Sequence, residues 1–430
     1  MTEMVDASAS HGGVVVQKYG GTSVANAERL NAIADRVAAS VGETEGLIVV
    51  LSAMGKTTDG LVSLAHQVSR RPVGREMDLL LSTGEQVSVS LLGLALQDRG
   101  VPAISLTASQ CGIRTDSAFS IARIQSIDTQ RIREELDAGR VVIITGFQGV
   151  TSDHEVTTLG RGGSDITGAA VAVALGARVC EICTDVDGVL SADPRVVPDA
   201  RLWPEISYEE AIELASSGAK VLHPRAAEVC MAYDVPIHVR SSFHERAGTW
   251  IRRSDEMVME QAEVVGVSSD KKIAKVTLLG VPDEPGLAAR VFQDLAGADI
   301  SVRLIIQSAS SEGRGRITFV LDEEFAGQVE ELVDRWKTDG IASEGVVEHN
   351  VAKISIVGSR LASTPGLAAR MFAALAREGI NIDCISSSEM KVACVIAGEQ
   401  VERAVRAVHE EFFPQSVPVV ETAKTSELSG

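Results

Sequence analysis

Aromatic side chains make up 3% of the 430 residues, and basic residues are outnumbered, with 40 Lys and Arg against 59 Asp and Glu, for a formal charge of -19. A chain this acidic repels phosphate backbones, which excludes nucleic acid as an expected partner. Long apolar runs are missing, so no stretch reads as long enough to cross a bilayer and no membrane partner is expected. Residues Met1 to Gly13 have neither a basic start nor an apolar centre and do not read as a secretory signal. Cysteine is sparse: Cys111, Cys180, Cys183, Cys230, Cys384 and Cys394 are scattered, which suits a reduced cytoplasm rather than a disulfide framework. Cys180 and Cys183 form a CxxC without the second pair that would complete a zinc site. Within the strand-like run Arg178 to Thr184 they read as buried thiols.

What is present is ordinary globular composition, 45% apolar and 23% charged, in a chain long enough for two or three domains. Val14 to Gln17, Leu47 to Leu51, Ala103 to Leu106, Val141 to Phe147, Val179 to Thr184 and Ile237 to Val239 read as strands, several of them apolar throughout. Unbroken apolar strands are covered on both faces. Between them lie helical patterns at Ala27 to Ala39, Ser88 to Gln97, Thr129 to Asp137, Ile166 to Leu175 and Tyr208 to Ser216. The alternation predicts an α/β fold, a mainly parallel sheet sandwiched by helices.

Ligands of such sheets bind beyond the carboxyl ends of the strands, and the loops there carry polar, glycine-rich stretches. These are Lys18-Tyr19-Gly20-Gly21-Thr22-Ser23, Ser52 to Asp59, Thr184-Asp185-Val186-Asp187-Gly188, and Asp193-Pro194-Arg195. The stretch Thr158-Leu159-Gly160-Arg161-Gly162-Gly163-Ser164-Asp165 runs straight into a helix, where free backbone N–H groups attract anions. Arg161 adds a planar fork for a carboxylate or phosphate, and Asp165 a fixed negative charge. A tight glycine turn with a surface ion pair is the plainer reading of the same residues. Two familiar phosphate motifs fail: the glycine a P-loop needs five positions before Gly55 is Val50, and the third glycine of a dinucleotide fingerprint is Asp165.

Beyond about Asp255 a repeat appears. Pro285-Gly286-Leu287-Ala288-Ala289-Arg290 recurs as Pro365-Gly366-Leu367-Ala368-Ala369-Arg370, and the likeness extends to the apolar runs on both sides. Each copy reads as strand, Pro-Gly turn, helix and strand, with Leu287, Val291, Phe292 and Leu295, or Leu367, Met371, Phe372 and Leu375, as the buried helix face.

Together these stretches resemble the aspartate kinase branch of the amino-acid kinase family, in its monofunctional form. The residues that carry the resemblance are Lys18 to Ser23, Thr83-Gly84-Glu85, Thr145-Gly146-Phe147-Gln148-Gly149, Gly160 to Asp165, Thr184 to Gly188 with Asp193-Pro194-Arg195, and Gly218-Ala219-Lys220-Val221-Leu222-His223-Pro224. The repeats resemble ACT modules, ferredoxin-like βαββαβ units that bind amino acids. The resemblance implies a catalytic domain at residues 12–255 and regulatory modules at 264–345 and 346–424.

It further implies ATP-dependent phosphorylation of the L-aspartate side chain with Mg²⁺, the first step toward lysine, methionine and threonine, under amino-acid feedback. A catalytically silent amino-acid sensor on the same fold is the alternative, and a kinase for another carboxylate or carbamate a third reading. The implied roles are Lys18, Asp165 and Lys220 in catalysis, and Ser52, Thr58, Glu85, Arg161 and Ser164 around aspartate. ATP would meet Lys18, Gly20, Gly21, Thr184, Asp185, Asp193, Pro194, Arg195 and Lys220. Lysine or threonine would meet Asp283, Gly286, Leu287, Gln307, Asn381 and Ile382. No protein ligand for a metal is implied. A homo-oligomer is expected, and Met257 or Met259 could start a separate regulatory subunit. Arg303 stands in the first repeat where Asp383 stands in the second, which predicts a cation disturbing the first effector site.

Overall fold

Runs such as Val-Val-Val and Leu-Ile-Val-Val-Leu tolerate water on neither face, and they become neighbours at the centre of one eight-stranded sheet. The computed structural model describes residues 13–70, 72–253, 262–308 and 313–414. They form two units, one of residues 13–191 and 200–253, the other of 192–199 and 262–414. Met257 and Met259 lie outside the described residues.

The first unit holds β1 (Val14–Tyr19), β2 (Gly46–Leu51), β3 (Ala103–Leu106), β4 (Ile113–Thr115), β5 (Ile124–Ile127), β6 (Val141–Thr145), β7 (Gln148–Val150), β8 (Val156–Thr158), β9 (Val179–Thr184), β10 (Glu205–Ser207), β11 (Ile237–Ser241) and β12 (Thr249–Arg252). Its helices are α1 (Ala27–Ser40), α2 (Thr57–Val68), α3 (Arg75–Leu81), α4 (Thr83–Gln97), α5 (Gln130–Asp137), α6 (Gly163–Leu175), α7 (Tyr208–Ser216) and α8 (Pro224–Tyr233). The main sheet runs β10-β12-β11-β9-β1-β2-β6-β3. Its pairings are parallel except β11 with β12. Val15, Leu47, Val49, Ile143, Ile33 and Leu92 meet in its core, each worth roughly 1.5–3 kcal/mol of burial. Asn26 caps α1 by accepting the Arg29 N–H, and Ser207 with Glu210 forms a reciprocal capping box on α7.

A second sheet, β5-β4-β7-β8, was not foreseen from the sequence, because strands of three or four residues are too short to show a period. The expected strand Val141 to Phe147 stops at Thr145, and Gly146 and Phe147 turn the chain into β7. Nor was the length of the stretch Arg75–Gln97: α3 and α4 follow one another through Ser82 in helical backbone, and together they are long and apolar enough by composition to cross a membrane. Half of its most apolar window is buried, and it carries the buried acids Asp78 and Glu85, so we read it as a core helix.

The second unit contains β13 (Gly266–Pro282), α9 (Leu287–Gly297), β14 (Val302–Ser308), β15 (Arg314–Asp322), α10 (Ala326–Thr338), β16 (Glu344–Val357), α11 (Leu367–Arg377), β17 (Cys384–Ser387), β18 (Lys391–Ala397) and α12 (Val401–Phe412). One antiparallel sheet, β14-β15-β13-β16-β18-β17, runs through both repeats. The two long strands interlace them. Gly266 to Asp270 pairs with Lys353 to Val357, whereas Ile273 to Leu279 pairs with Glu344 to Val351. The start of β13 therefore closes the sheet of the second copy, and the start of β16 closes that of the first.

Candidate active site

Lys18, near the carboxyl end of β1, points toward α6. Its Nζ lies 2.5 Å from Oδ1 of Asp165, and both side chains are about nine-tenths buried, at 11% exposure each. Asp165 holds its place because its Oδ2 accepts the backbone N–H of His223 at 3.0 Å. One carboxylate thus joins β1, the first turn of α6 and the residue before α8. His223 sits over Gly162, whose φ is +71°, and a Cβ on Gly162 would lie 2.3 Å from the imidazole. Only glycine satisfies both conditions. Burial pushes the His223 imidazole down from its ordinary value, with Asp165 opposing.

Glu85 lies in the first turn of α4 and is 3% exposed. Its Oε1 accepts the Ala53 N–H at 3.0 Å, and Oε2 is buried with no partner. Gly84 makes this approach possible, since a Cβ there would stand 2.8 Å from that of Ala53. Burial pushes the Glu85 carboxyl up to about 7, partly offset by the Ala53 N–H. A buried acid with one unpartnered oxygen is poised to accept a cation.

The loops between these centres are continuous. Ser52 donates its N–H to Tyr19 O, and Gly55 donates to Gly21 O, locking the loops after β1 and β2 together. Ser52 is half-buried directly after β2, and Thr58 is in the first turn of α2. Ser164 is buried at the start of α6 against Gly146, itself bonded to Leu51 O. Arg161 is exposed in the turn leading to α6, and Lys220 is exposed between α7 and α8. Gly20 and Gly21 border the cluster, with Lys18 Nζ 3.5 Å from where a Gly20 Cβ would stand. Thr184 donates its hydroxyl to the exposed Asp185 at 3.2 Å beyond the end of β9. Asp193 and Arg195, flanking Pro194, lie in the stretch grouped with the second unit and form a bidentate ion pair of 2.7 and 2.9 Å. Among the described residues, no group of three or more His, Cys, Asp or Glu is placed to hold a metal.

Two residues of this region, half-buried His223 and fully buried Asp78, were not singled out from the sequence. His223 was noted only as part of a motif. Asp78 is fully buried, and an acid inside the apolar helical run Met77, Leu79, Leu80 and Leu81 was the available signal.

In the second unit a cavity of about 380 Å³ opens at the turn before α9, lined by Pro282, Asp283, Glu284, Gly286, Leu287 and Gln307 among others. Asp283, Gly286, Leu287 and Gln307 from the sequence reading meet there, whereas Asn381 and Ile382 lie between α11 and β17. Arg303 does not line it. Its guanidinium pairs with Asp270 at 3.3 Å and Asp322 at 2.6 Å, so the expectation of a cation disturbing this pocket is overturned.

Residues 13–241 match the amino acid kinase family, and residues 275–340 and 354–412 each match the ACT domain. An aspartokinase of Mycolicibacterium smegmatis is 44% identical over 403 residues, 93% of this chain and 96% of the relative. An aspartate kinase of Pseudomonas fluorescens is 47% identical over 401 residues, 93% of this chain and 97% of the relative. The crystal structure of E. coli aspartokinase III with aspartate and ADP has a TM-score of 0.78 at 29% identity, over 93% of this chain and all of that one. The same enzyme with lysine and aspartate has a TM-score of 0.70 at 28% identity, over 93% and 99% of the two chains. The chain belongs to the aspartokinase branch of the amino acid kinase family.

Proposed function

We propose that the chain transfers the terminal phosphoryl group of ATP to the side-chain carboxylate of L-aspartate, giving 4-phospho-L-aspartate and ADP. The observation that carries this reading is the pairing of a buried Lys18–Asp165 centre with the unpartnered Glu85 oxygen across the joined loops after β1 and β2. The solved relative with aspartate and ADP supports it.

The attacking group is a carboxylate, ionised at neutral pH with an ordinary pKa near ~4, so the reaction needs no general base. One carboxylate oxygen bonds to the terminal phosphorus while the bond to the ADP oxygen breaks, and no proton moves. Catalysis then rests on position and charge. Lys18, held by Asp165, meets negative charge on the transferring group, with Lys220 as a second cation. Glu85 receives the aspartate ammonium, and Arg161 grips a carboxylate, with Ser52, Thr58 and Ser164 as neutral partners. Gly20, Gly21, Thr184 and Asp185 surround the nucleotide. Mg²⁺ carried on the nucleotide would supply neutralisation of phosphate charge beside Lys18 and Lys220, with no protein ligand assigned to it.

A catalytically silent sensor would place no demand on a buried lysine–carboxylate pair beside an unsatisfied acid, and the kinase reading accounts for both. The ACT-matching residues serve feedback by an amino acid, supported by the relative solved with lysine. The cavity before α9 is its site, where the N-terminus of that helix suits a carboxylate and Asp283 an ammonium. The catalytic region at 12–255 and modules at 264–345 and 346–424 belong to the same proposal, with the interlaced strands β13 and β16 tying the modules together. Edge strands β14 and β17 carry unpaired backbone groups that a second copy of the chain would cover, and the six free cysteines fit a reducing cytoplasm. Hydroxamate formation from aspartate, ATP and hydroxylamine tests the activity, and its absence with folded protein would reject it.

A further inference from the structure

Asp78 is a densely bonded carboxylate of the first unit. It is fully buried, and it accepts four hydrogen bonds. Oδ2 takes the backbone N–H of Ser120 at 2.8 Å and that of Thr158 at 2.7 Å. Oδ1 takes the hydroxyls of the same two residues at 3.2 and 3.0 Å. No lysine, arginine or histidine is needed to hold it, because four donors satisfy both oxygens.

The two residues it grips flank one loop. Thr158 ends β8 three residues before Arg161, and its carbonyl accepts the Ala122 N–H at 2.9 Å. Ser120 adopts φ of 71°, and its carbonyl lies against Gly160, 3.2 Å from where a Cβ would stand. Asp78 therefore fixes both walls of the turn that presents Arg161. Two further ties bind the same helical stretch to the β7–β8 hairpin. Gln148 Nε2 donates to Ser82 O at 3.0 Å, and Arg75 pairs with Glu155 at 2.5 Å.

Asp78, Ser82 and Glu85 are spaced i, i+4 and i+7 along almost continuous helix, and all three are buried. They share one face, and Asp78 and Glu85 stand about 10 Å apart along the axis. One rigid element thus carries the acid at the ammonium end of the site and the anchor for the arginine loop at the carboxylate end.

We propose that Asp78 is a positioning residue that sets the span between Glu85 and Arg161, and so the length of amino diacid the site accepts. It touches no substrate and acts through Thr158, Ser120 and the turn between them. The inference rests on the assignment of Glu85 and Arg161 to aspartate in the proposed function. An error of about 1 Å in such a span is enough to cost on the order of a hundredfold in rate.

The test compares full-length enzyme with Asp78→Asn, Ser120→Ala, Thr158→Val and Arg161→Ala, measuring kcat, the KM for aspartate, the KM for ATP, and the preference for aspartate over glutamate. Asp78→Asn keeps the volume but turns an amide NH₂ toward donors. It is expected to raise the aspartate KM about tenfold and to narrow the preference over glutamate by a similar factor, with the ATP KM within about twofold of the parent. Ser120→Ala and Thr158→Val remove one hydroxyl each and are expected to move the aspartate KM the same way by about two- to fivefold. They decide the question if Asp78→Asn does not fold. A folded Asp78→Asn enzyme with an unchanged aspartate KM, or with aspartate and ATP constants altered together, overturns the inference. So do unchanged aspartate constants in both hydroxyl variants. If Arg161→Ala leaves the aspartate KM untouched, the reading of the site fails instead, whereas an effect of Arg161→Ala without one of Asp78→Asn rejects the positioning role alone.

Discussion

Lys18 and Asp165 are joined by a 2.5 Å ion pair that links the first strand of the sheet to the first turn of α6. A lysine held this way gives up little conformational freedom when negative charge develops beside it, because folding has already ordered it. Lys18→Ala is therefore expected to lower kcat by at least about 100-fold while the aspartate KM stays within a few-fold. Asp165→Asn leaves an oxygen for the His223 N–H but loses the charge that holds Lys18, and a smaller fall of about tenfold is expected. Steady-state kinetics on both variants checks this, and near-normal turnover in folded Lys18→Ala removes the catalytic assignment.

Glu85 makes aspartate binding depend on pH. Its carboxyl, pushed up to about 7 by burial, is protonated in the free enzyme below that value, and an ammonium ligand favours the ionised form. Binding therefore releases a proton at low pH, and the aspartate KM is expected to rise toward tenfold per unit as pH falls below about 7. Glu85→Gln should bind aspartate weakly at every pH, with that slope gone.

The same shift bears on stability with the opposite outcome for the variant. A folded pKa raised above the unfolded one means the folded chain binds more protons between about 4.5 and 7, so stability falls as pH rises through that window. Above it the penalty is fully developed, on the order of 3 kcal/mol at most. Glu85→Gln removes it. Chemical denaturation at pH 5 and pH 8 should show the variant gaining on the parent only at the higher pH.

At the turn before α9, Asp283 and Gln307 face one cavity, while Arg303 is engaged by Asp270 and Asp322. Asp283→Ala and Gln307→Ala are expected to raise the concentration of inhibitory amino acid for half-effect by about fivefold or more. Arg303→Ala should leave that midpoint within about twofold. Inhibition curves with lysine and threonine, separately and together, provide the measurement. A midpoint that moves with Arg303 and not with Asp283 would place the effector elsewhere.

The sequence made the main sheet legible because β1, β2, β6 and β9 are apolar on both faces, a pattern few other environments tolerate. The repeat was legible because Pro-Gly-Leu-Ala-Ala-Arg recurs unchanged. What stayed hidden depends on pairing across long separations. Nothing local in Gly266 to Asp270 says that it joins Lys353 to Val357, since an apolar strand does not name its neighbour. Arg303 was misread for the same reason: its counterpart position in the repeat is occupied by an acid, but its partners, Asp270 and Asp322, come from β13 and β15. Lys18, Glu85 and Arg161 were picked out by motif, whereas Asp78 needed the fold to bring Ser120 and Thr158 to it.

Trp336 separates loss of regulation from loss of catalysis. It is fully buried on α10, packs edge-on against Phe319 at 6.4 Å between centroids, and donates its indole N–H to Asp294 at 2.7 Å. Truncation opens a large cavity in the core of the second unit, for which about 3–5 kcal/mol is expected from Trp336→Ala. Trp336→Phe refills most of that space and loses chiefly the hydrogen bond, about 1–2 kcal/mol. Neither change touches the first unit, where the Lys18–Asp165 pair and Glu85 reside. Thermal unfolding followed by near-ultraviolet dichroism should show the larger loss in Trp336→Ala. At temperatures just above its midpoint, the response to effector amino acids should disappear while aspartate-dependent turnover persists. Simultaneous loss of both in Trp336→Ala, with both intact in Trp336→Phe, would mean that the first unit depends on the second for its own folding.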